Sequence, residues 1–443
     1  MSQLPLELPL TENVLALEGG CRERLSTLLA WDLDFHDRVS GYASHNFHPF
    51  PAKFPPQLPR LFITGLTQPG ERVLDPMVGS GTTVVEALLA GRWGIGVDLD
   101  PLALLLCRVK TTPLALDEVE RTGIEVWRRA SRAVEKGRRD LEEELRHSFD
   151  SRTRDFIEYW FLPEAQVELM ALAQEIDQVK SPPVRSFLWL VFSAIVIAKS
   201  GGVSLARDLA HTRPHRDLSK PFRSPLAEFK KRLRQNLRGL VEIVQKEQQA
   251  SVIGGDAQRL PLAENSVDLI VTSPPYAANA IDYMRAHKFS LVWMGYPISA
   301  LSEKRREYIG GEAIAHVSFE PMPADVMQVV ADVAERDARK ARVLHRYYSE
   351  MRRCLSEMYR VLRPGRAAIV VVGTSSMRGV DTRTQDCLAR IGEEVGFEVA
   401  GIAVRRLDRD RRMMPARRGR TPASQIEQRM HEEYVIGFYK PEA

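Results

Sequence analysis

The sequence predicts an α/β protein in which helices cover both faces of a mixed, mostly parallel sheet that is interrupted by an inserted helical region. Three observations lead to this prediction. Residues 72–83 read as a short apolar strand, a glycine turn and the start of a helix. Residues 94–100 form a second strand pattern that ends in carboxylates, and residues 267–271 form another apolar run. Between these strands, residues 116–250 have helical periodicity.

The composition is that of a globular protein with room for about two to three domains in 443 residues. Hydrophobic residues make up 44% and charged residues 27% of the chain, which is typical of soluble proteins. The most apolar run, 187–198, is too short to span a bilayer. The start of the chain lacks a signal-peptide pattern, and its four cysteines are scattered. We therefore expect a cytoplasmic protein without a membrane partner, a disulfide framework or a metal cluster.

The first strand, turn and helix have the features of a nucleoside site. Gly79 and Gly81 allow a ligand to approach the backbone beside a positive helix N-terminus, and Thr82 suits helix capping. Asp98 ends the second strand, where an acid typically binds ribose hydroxyls. No lysine follows the second glycine, so the Walker phosphate pattern is absent. These features favour a nucleoside cofactor whose tail is not a pyrophosphate.

A second motif follows the apolar run 267–271. Residues 272–276 read Thr-Ser-Pro-Pro-Tyr, and the prolines remove backbone donors and fix φ. The carbonyls of such a rigid tip are free to accept hydrogen bonds, and an aromatic ring lies beside them. This arrangement suits a flat ring that carries an amine, such as a nucleobase. Taken alone, the motif is equally compatible with a stiff turn after a strand.

Together, stretches 75–83 and 272–276 resemble the cofactor loop and the catalytic motif of S-adenosylmethionine-dependent DNA amino-methyltransferases. In that family the Ser-Pro-Pro-Tyr form is commoner among N4-cytosine enzymes, and Asp-Pro-Pro-Tyr is commoner among N6-adenine enzymes. The resemblance implies a Rossmann-like class I methyltransferase fold. Further stretches that resemble family motifs are 45–56, 254–262 and 359–373.

The resemblance also implies roles for individual residues. S-adenosyl-L-methionine is the implied cofactor, with contacts expected from Asp75, Pro76, Gly79, Gly81, Thr82, Asp98, Asp256, Phe47 and Lys53. The implied catalytic residues are Ser273, Pro274, Pro275 and Tyr276. Ser273 and the Pro274 carbonyl would accept the two hydrogens of the target amine, and Tyr276 would stack on a base flipped out of the duplex. Core packing remains an equal alternative for Phe47, and a surface position for Lys53.

Basic residues concentrate in two stretches of the chain. Residues 205–240 contain ten lysines and arginines against three acids, and residues 405–420 contain eight arginines against two aspartates. Clustered cations suit the neutralisation of DNA phosphates, although a solvated helix face is an equal alternative for 230–238. The predicted DNA contacts are Lys230, Lys231, Arg234, Arg409, Arg411, Arg412, Arg417 and Arg418.

The pattern divides the chain into four parts, which are a leader (1–44), a cofactor half (45–115), a helical insertion (116–250) and a catalytic half (251–443). Helices are predicted at 119–145, 166–179, 184–199 and 226–248. The catalytic half carries its own insertion, 277–348. Either insertion is a candidate for target recognition, and the basic edge of the first one favours it.

These observations predict a sequence-specific DNA methyltransferase that modifies the N4 amine of cytosine. Its partners would be double-stranded DNA and, unless the enzyme is solitary, a restriction endonuclease that acts on the same site. Three alternatives remain open: N6-adenine methylation of DNA, methylation of an RNA base, and a catalytically idle DNA-binding subunit.

Overall fold

A computed structural model describes residues 14, 16–36, 38–51, 53–198, 202–207, 209, 214–240, 250–277, 281–312, 317–373, 375–407 and 432–442. Its centre is a seven-stranded sheet. The strands in chain order are β1 (Arg72–Asp75), β2 (Trp93–Asp98), β3 (Ala206–Arg207), β4 (His215–Arg216), β5 (Ala250–Gly254), β6 (Val267–Thr272), β7 (Leu362–Gly373), β8 (Ser376–Met377), β9 (Val380–Asp381), β10 (Glu398–Arg406) and β11 (Glu432–Lys440).

The main sheet has the order β10-β11-β7-β6-β1-β2-β5, and the strand pairs β3–β4 and β8–β9 form small separate ribbons. Neighbours pair in parallel except at β11, which runs antiparallel to both β7 and β10. From β1 the chain first builds outward through β2 and β5, and then crosses to β6 on the other side of β1. The order therefore reverses between β1 and β6, and such a reversal opens a crevice at the carboxyl ends of the strands. This architecture confirms the expected Rossmann-like fold class.

Helices surround the sheet. They are α1 (Cys21–Leu29), α2 (Gln57–Leu66), α3 (Thr82–Leu89), α4 (Pro101–Thr111), α5 (Leu116–Lys136), α6 (Arg138–His147), α7 (Ser151–Trp160), α8 (Pro163–Asp177), α9 (Pro182–Val196), α10 (Pro225–Leu240), α11 (Met284–Leu291), α12 (Ile298–Lys304), α13 (Ala324–Ala334), α14 (Ala338–Val361) and α15 (Thr384–Val395). Short 3₁₀ turns follow α11 at Val292–Met294 and α12 at Arg305–Glu307.

The core strands are apolar because both faces of the sheet are covered. On one face, alternate residues of β6 and β7 pack against α1 and α2, for example Leu269 and Ile369 against Phe62. On the other face, the intervening residues pack against α14 and α15, for example Ile270 against Leu355. Every residue of β6 is buried. This continuous burial explains why the sequence reads as an unbroken apolar run.

The inserted helices pack around a separate apolar cluster formed mainly by α8 and α9. They lie between β2 and β5 in the chain, as the sequence predicts. The predicted helix 119–145 is divided at Gly137 into α5 and α6. The helix that follows, α7, was not predicted, and residues 241–248 of the last predicted helix lie outside the described residues. No helix in the described part of the chain is long and apolar enough to cross a bilayer.

Candidate active site

The carboxyl ends of four neighbouring strands converge on one pocket, termed here the central pocket. Asp75 ends β1, Asp98 ends β2, Asp256 follows β5 and Ser273 follows β6, and all four side chains line the central pocket. Because parallel strands end at the same edge of a sheet, residues nearly two hundred positions apart meet here. Pro76 and Thr82 of the cofactor loop also line the pocket.

The glycine turn after β1 is held by the acid at the end of β2. Gly79 has a left-handed φ of +46°, and its N–H donates to Asp98 Oδ2 at 2.8 Å. The other oxygen, Asp98 Oδ1, accepts from the backbone N–H of Asp100 at 2.9 Å. A carboxylate has about four lone-pair sites, so two remain for hydroxyl donors of a ligand. Burial, with repulsion from Asp100, raises the pKa of Asp98 to about 7.

Gly81 has a different role from the one expected. Its φ of +82° ends the turn at the start of α3, and it is not among the residues that line the central pocket. A Cβ at this position would lie 3.2 Å from Cys107 Cα on α4. The glycine therefore allows two helices to approach closely, and the sequence pattern alone does not distinguish this need from close approach of a ligand.

A buried hydrogen bond joins the cofactor loop to the catalytic motif. Thr272 Oγ1 donates to Asp75 Oδ1 at 2.7 Å, and the Met77 N–H donates to the same oxygen at 3.2 Å. Burial raises the pKa of Asp75 to about 6. Asp75 thus fixes the relative position of the two strand ends, although it also lines the central pocket.

The four predicted catalytic residues divide into two pairs. Ser273 and Pro275 line the central pocket, whereas Pro274 is buried and Tyr276 is not part of the lining. The Tyr276 hydroxyl donates to Glu433 Oε1 on β11 at 2.9 Å. Burial and the Glu433 carboxylate raise the pKa of Tyr276 well above its usual value. Tyr276 is therefore a neutral hydrogen-bond donor near neutral pH, with its hydroxyl committed to the sheet.

Segment 45–56 forms one wall of the central pocket, but through different residues than expected. Phe47 does not line it, because its ring packs edge-on against Phe187 with centroids 6.0 Å apart in the core of the helical insertion. The lining residues of this segment are Phe50, Lys53 and Phe54. Lys53 combines a place in the wall with an internal contact, since its ammonium donates to the His45 carbonyl at 2.8 Å.

Several pocket residues come from the stretch after the catalytic motif. Tyr283 stacks on Phe50 with centroids 5.0 Å apart and an interplanar angle of 23°. His287 Nδ1 and the Tyr308 hydroxyl both donate to Asp100 Oδ2, at 2.7 and 2.8 Å. His287 and Tyr308 were not predicted from the sequence, because they lie 187 and 208 residues from Asp100 and belong to no recognised spacing.

Asp100, His287 and Tyr308 are termed here the Asp100 clasp. Asp100 also caps α4 by accepting from the Leu102 N–H at 2.8 Å. Burial acts to raise the pKa of Asp100, but attraction to His287 and the hydrogen bonds from both partners hold the pKa below its usual value. Asp100 is therefore ionised near neutral pH, and the clasp ties the second insertion to the cofactor half.

The predicted DNA contacts fall in two places. Lys230, Lys231 and Arg234 lie on α10 and line a groove that α10 forms with α5. Arg409, Arg411, Arg412, Arg417 and Arg418 lie outside the described residues. The residues that flank them are described, since Arg406 pairs with Glu432 in the β10–β11 ladder.

The chemistry of the central pocket fits S-adenosyl-L-methionine. Asp98 would accept hydrogen bonds from ribose hydroxyls, and Asp256, which lines the same pocket as the apolar Leu99 and Ile309, would accept one from the adenine amine. The Asp256 carboxylate is oriented by the Gln258 N–H at 2.9 Å. Lys53 would provide a cation for the carboxylate of the amino-acid part. When bound, this cofactor supplies an electrophilic methyl group.

Comparison with known proteins agrees with this chemistry. A family model described as DNA methylase, covering N6- and N4-methyltransferases, matches residues 23–105. The type II methyltransferase M.MvaI of Kocuria varians is 23% identical over 394 residues, which cover 81% of this chain and 83% of that protein. The type II methyltransferase M.MjaII of Methanocaldococcus jannaschii is 36% identical over 91 residues, 20% of this chain and 17% of that protein.

A solved structure, the putative DNA modification methylase TTHA0409 of Thermus thermophilus complexed with S-adenosyl-L-methionine, is 16% identical, with a TM-score of 0.22 over 43% of this chain and 54% of that one. The family model and the type II relatives together support a DNA methyltransferase of the N6 and N4 family.

Proposed function

We propose that this protein transfers a methyl group from S-adenosyl-L-methionine to the N4 amine of a cytosine that is flipped out of duplex DNA. The observation that carries the proposal is the position of Ser273. Its side chain lines the same pocket as Asp98 and Asp256, the two acids that suit the cofactor. A hydroxyl in place of a carboxylate at this tip favours cytosine over adenine within the family.

Ser273 and Pro274 would prepare the amine for attack. The lone pair of the amine is delocalised into the ring, so the nitrogen must become pyramidal before it reacts. The Ser273 hydroxyl and the Pro274 carbonyl accept the two amine hydrogens and localise the lone pair on nitrogen. The ring of Pro275 fixes its φ, so the tip that presents the Pro274 carbonyl is rigid. Holding the amine at near-attack distance then accounts for much of the acceleration.

Tyr276 would stack on the flipped base while its hydroxyl stays bonded to Glu433. The contact at 2.9 Å holds the phenol on β11, so stacking would cost little side-chain entropy. Glu433 is next to Glu432, where the chain re-enters the sheet after the predicted arginine contacts. Those arginines would then meet phosphates close to the flipped base.

The test is to identify the modified base. The chain is expressed in cells that lack other DNA methyltransferases, and the DNA is digested to nucleosides and analysed by mass spectrometry. We expect N4-methylcytosine. Detection of N6-methyladenine alone would reassign the target, and DNA without any methylated base, from a protein that binds S-adenosyl-L-methionine in calorimetry, would indicate an idle subunit. A partner endonuclease is likewise a proposal, and it would be blocked by the same modification.

The role of Ser273 is tested separately. Ser273→Ala removes one hydrogen bond to the reacting amine, which is worth about 1.5–3 kcal/mol, so kcat should fall about tenfold to a hundredfold. Ser273→Thr retains the hydroxyl and serves as the matched control. Cofactor affinity should stay within about twofold in both variants, because the interaction is made with the base. An unchanged kcat in Ser273→Ala would remove the serine from the mechanism.

A further inference from the structure

We propose that the groove between α5 and α10 binds the phosphate backbone of the DNA that flanks the target base. This inference rests on the proposed function and adds a second DNA contact, away from the central pocket. The groove is lined by four cations and by no acidic residue. The four, termed here the groove cations, are Lys230, Lys231, Arg234 and Arg238.

The groove cations have no carboxylate partner among the described residues. Within the described ranges, none of them is within ion-pairing distance of a carboxylate, whereas exposed arginines nearby are paired. Arg129 on α5 contacts Glu125 at 2.8 Å, and Arg138 on α6 contacts Glu142 at 2.9 Å. Four like charges along one groove repel one another, and an external polyanion would relieve that repulsion.

The spacing of the groove cations follows one face of α10. Lys231, Arg234 and Arg238 are exposed and recur every three or four residues, so they lie on successive turns of the helix. From Lys231 to Arg238 the helix rises about 10 Å. A strand of DNA presents a phosphate about every 3.4 Å along its axis, so this face meets about three phosphates.

The floor of the groove holds one cation in place. The Lys230 ammonium lies 3.6 Å from the centroid of the Trp127 ring on α5. A cation over an indole face is stabilised by about 0.5–1 kcal/mol at an exposed site. The ring thus orders a charge that would otherwise move freely in solvent. The neutral lining residue Gln235 adds an amide donor for phosphate oxygens.

The opposite face of α10 is anchored next to the central pocket. Phe229, Leu233 and Asn236 are buried, and Asn236 Nδ2 donates to the Phe47 carbonyl at 3.0 Å. Phe47 belongs to the segment that supplies Phe50 and Lys53 to the pocket wall. The groove is therefore connected to the reaction centre through a buried contact, which would keep DNA in the groove and DNA at the pocket in one register.

The experiment measures duplex binding as a function of salt. The groove variant replaces Lys231, Arg234 and Arg238 with alanine in the full chain. The control variant replaces Arg129, Arg138 and Arg390 with alanine, which removes the same charge from exposed ion-paired positions. Binding of a fluorescent 30-base-pair duplex is followed by anisotropy at several salt concentrations.

We expect the slope of log K against log salt to decrease by about 3 in the groove variant, because each lost phosphate contact contributes about 0.9. The control should keep the wild-type slope. Affinity for S-adenosyl-L-methionine should stay within about twofold in both variants, because none of the replaced residues lines the central pocket.

Equal slopes in the groove and control variants would overturn the proposal, as would a wild-type protein that does not bind the duplex. Tighter binding of an RNA duplex of the same sequence would overturn the assignment to DNA. Duplex binding that weakens in the groove variant, without methyl transfer by the wild type, would support the groove and contradict the proposed function.

Discussion

The Asp98 carboxylate lowers the stability of the fold near neutral pH in its role as a cofactor ligand, and Asp98→Asn tests this. Burial raises the pKa of Asp98 from 3.8 to about 7. The folded state therefore holds the proton to a higher pH than the unfolded state does. The favourable contribution is fully present below about pH 4 and is lost as the pH rises through 7. Asparagine has the same shape but does not ionise, so it removes this dependence.

The full shift in the pKa of Asp98 corresponds to about 4 kcal/mol of unfolding free energy. The carboxylate is only half-buried and faces the central pocket, so solvent screening reduces the effect, and we expect about 2 kcal/mol. The amide replaces one acceptor with a donor opposite the N–H of Gly79 or Asp100, which costs about 1 kcal/mol at every pH. The stability of the variant relative to the wild type should therefore rise by about 2 kcal/mol between pH 4 and pH 8.

The assay is urea unfolding at several pH values across that range, with calorimetry of S-adenosyl-L-methionine binding at pH 8. Cofactor affinity should fall about a hundredfold, because two hydrogen bonds to a charged acceptor are weakened. Exposed Asp117 on α5 supplies the matched control, Asp117→Asn, which should leave cofactor affinity at pH 8 unchanged because the residue does not line the central pocket. Parallel pH profiles for wild type and Asp98→Asn would refute the reasoning.

Two further predictions concern the clasp and the glycine turn. Tyr308→Phe removes the hydrogen bond to Asp100 Oδ2, so the free energy of unfolding should fall by about 1–2 kcal/mol. KM for the cofactor should rise while kcat stays unchanged, and an equal loss in kcat would contradict a positioning role. Gly81→Ala should destabilise by more than the about 1–2 kcal/mol of a left-handed alanine, because its Cβ meets Cys107. Gly70→Ala is the control, because Gly70 has a φ of +84° and open space around it, so the variant reports only the cost of the left-handed backbone. Equal losses of unfolding free energy in urea for Gly81→Ala and Gly70→Ala would exclude a contribution from the contact with Cys107.

The sequence was most informative where one local requirement determines the residues. The buried strands β1, β2 and β6 have apolar runs because both faces of the sheet are covered. Asp98 was recognised because it directly follows the apolar run of β2. The sequence alone does not say on which side of β1 the strand β6 is placed, so the fold class was expected from the family resemblance and the strand order was not predicted.

Other features depend on contacts that no local pattern encodes. Phe50, and not Phe47, lines the pocket wall. The two phenylalanines are three residues apart in a proline-rich segment without periodicity, so the sequence does not distinguish them. The Asp100 clasp joins residues far apart in the chain. Helix α7 carries Tyr159 on an exposed surface and buries few residues, so its apolar pattern is weak.

The placement of β1 between β2 and β6 has a consequence for synthesis on the ribosome. Thr272, which ends β6, is added 197 residues after Asp75, which ends β1. At about 5–20 residues per second, that interval lasts about 10–40 s. During this time β1 has β2 beside it but an open hydrogen-bonding edge on the other side, and such an edge templates wrong pairing with other chains. The helical insertion emerges in the same interval, so the reaction centre forms only after that insertion has been synthesised.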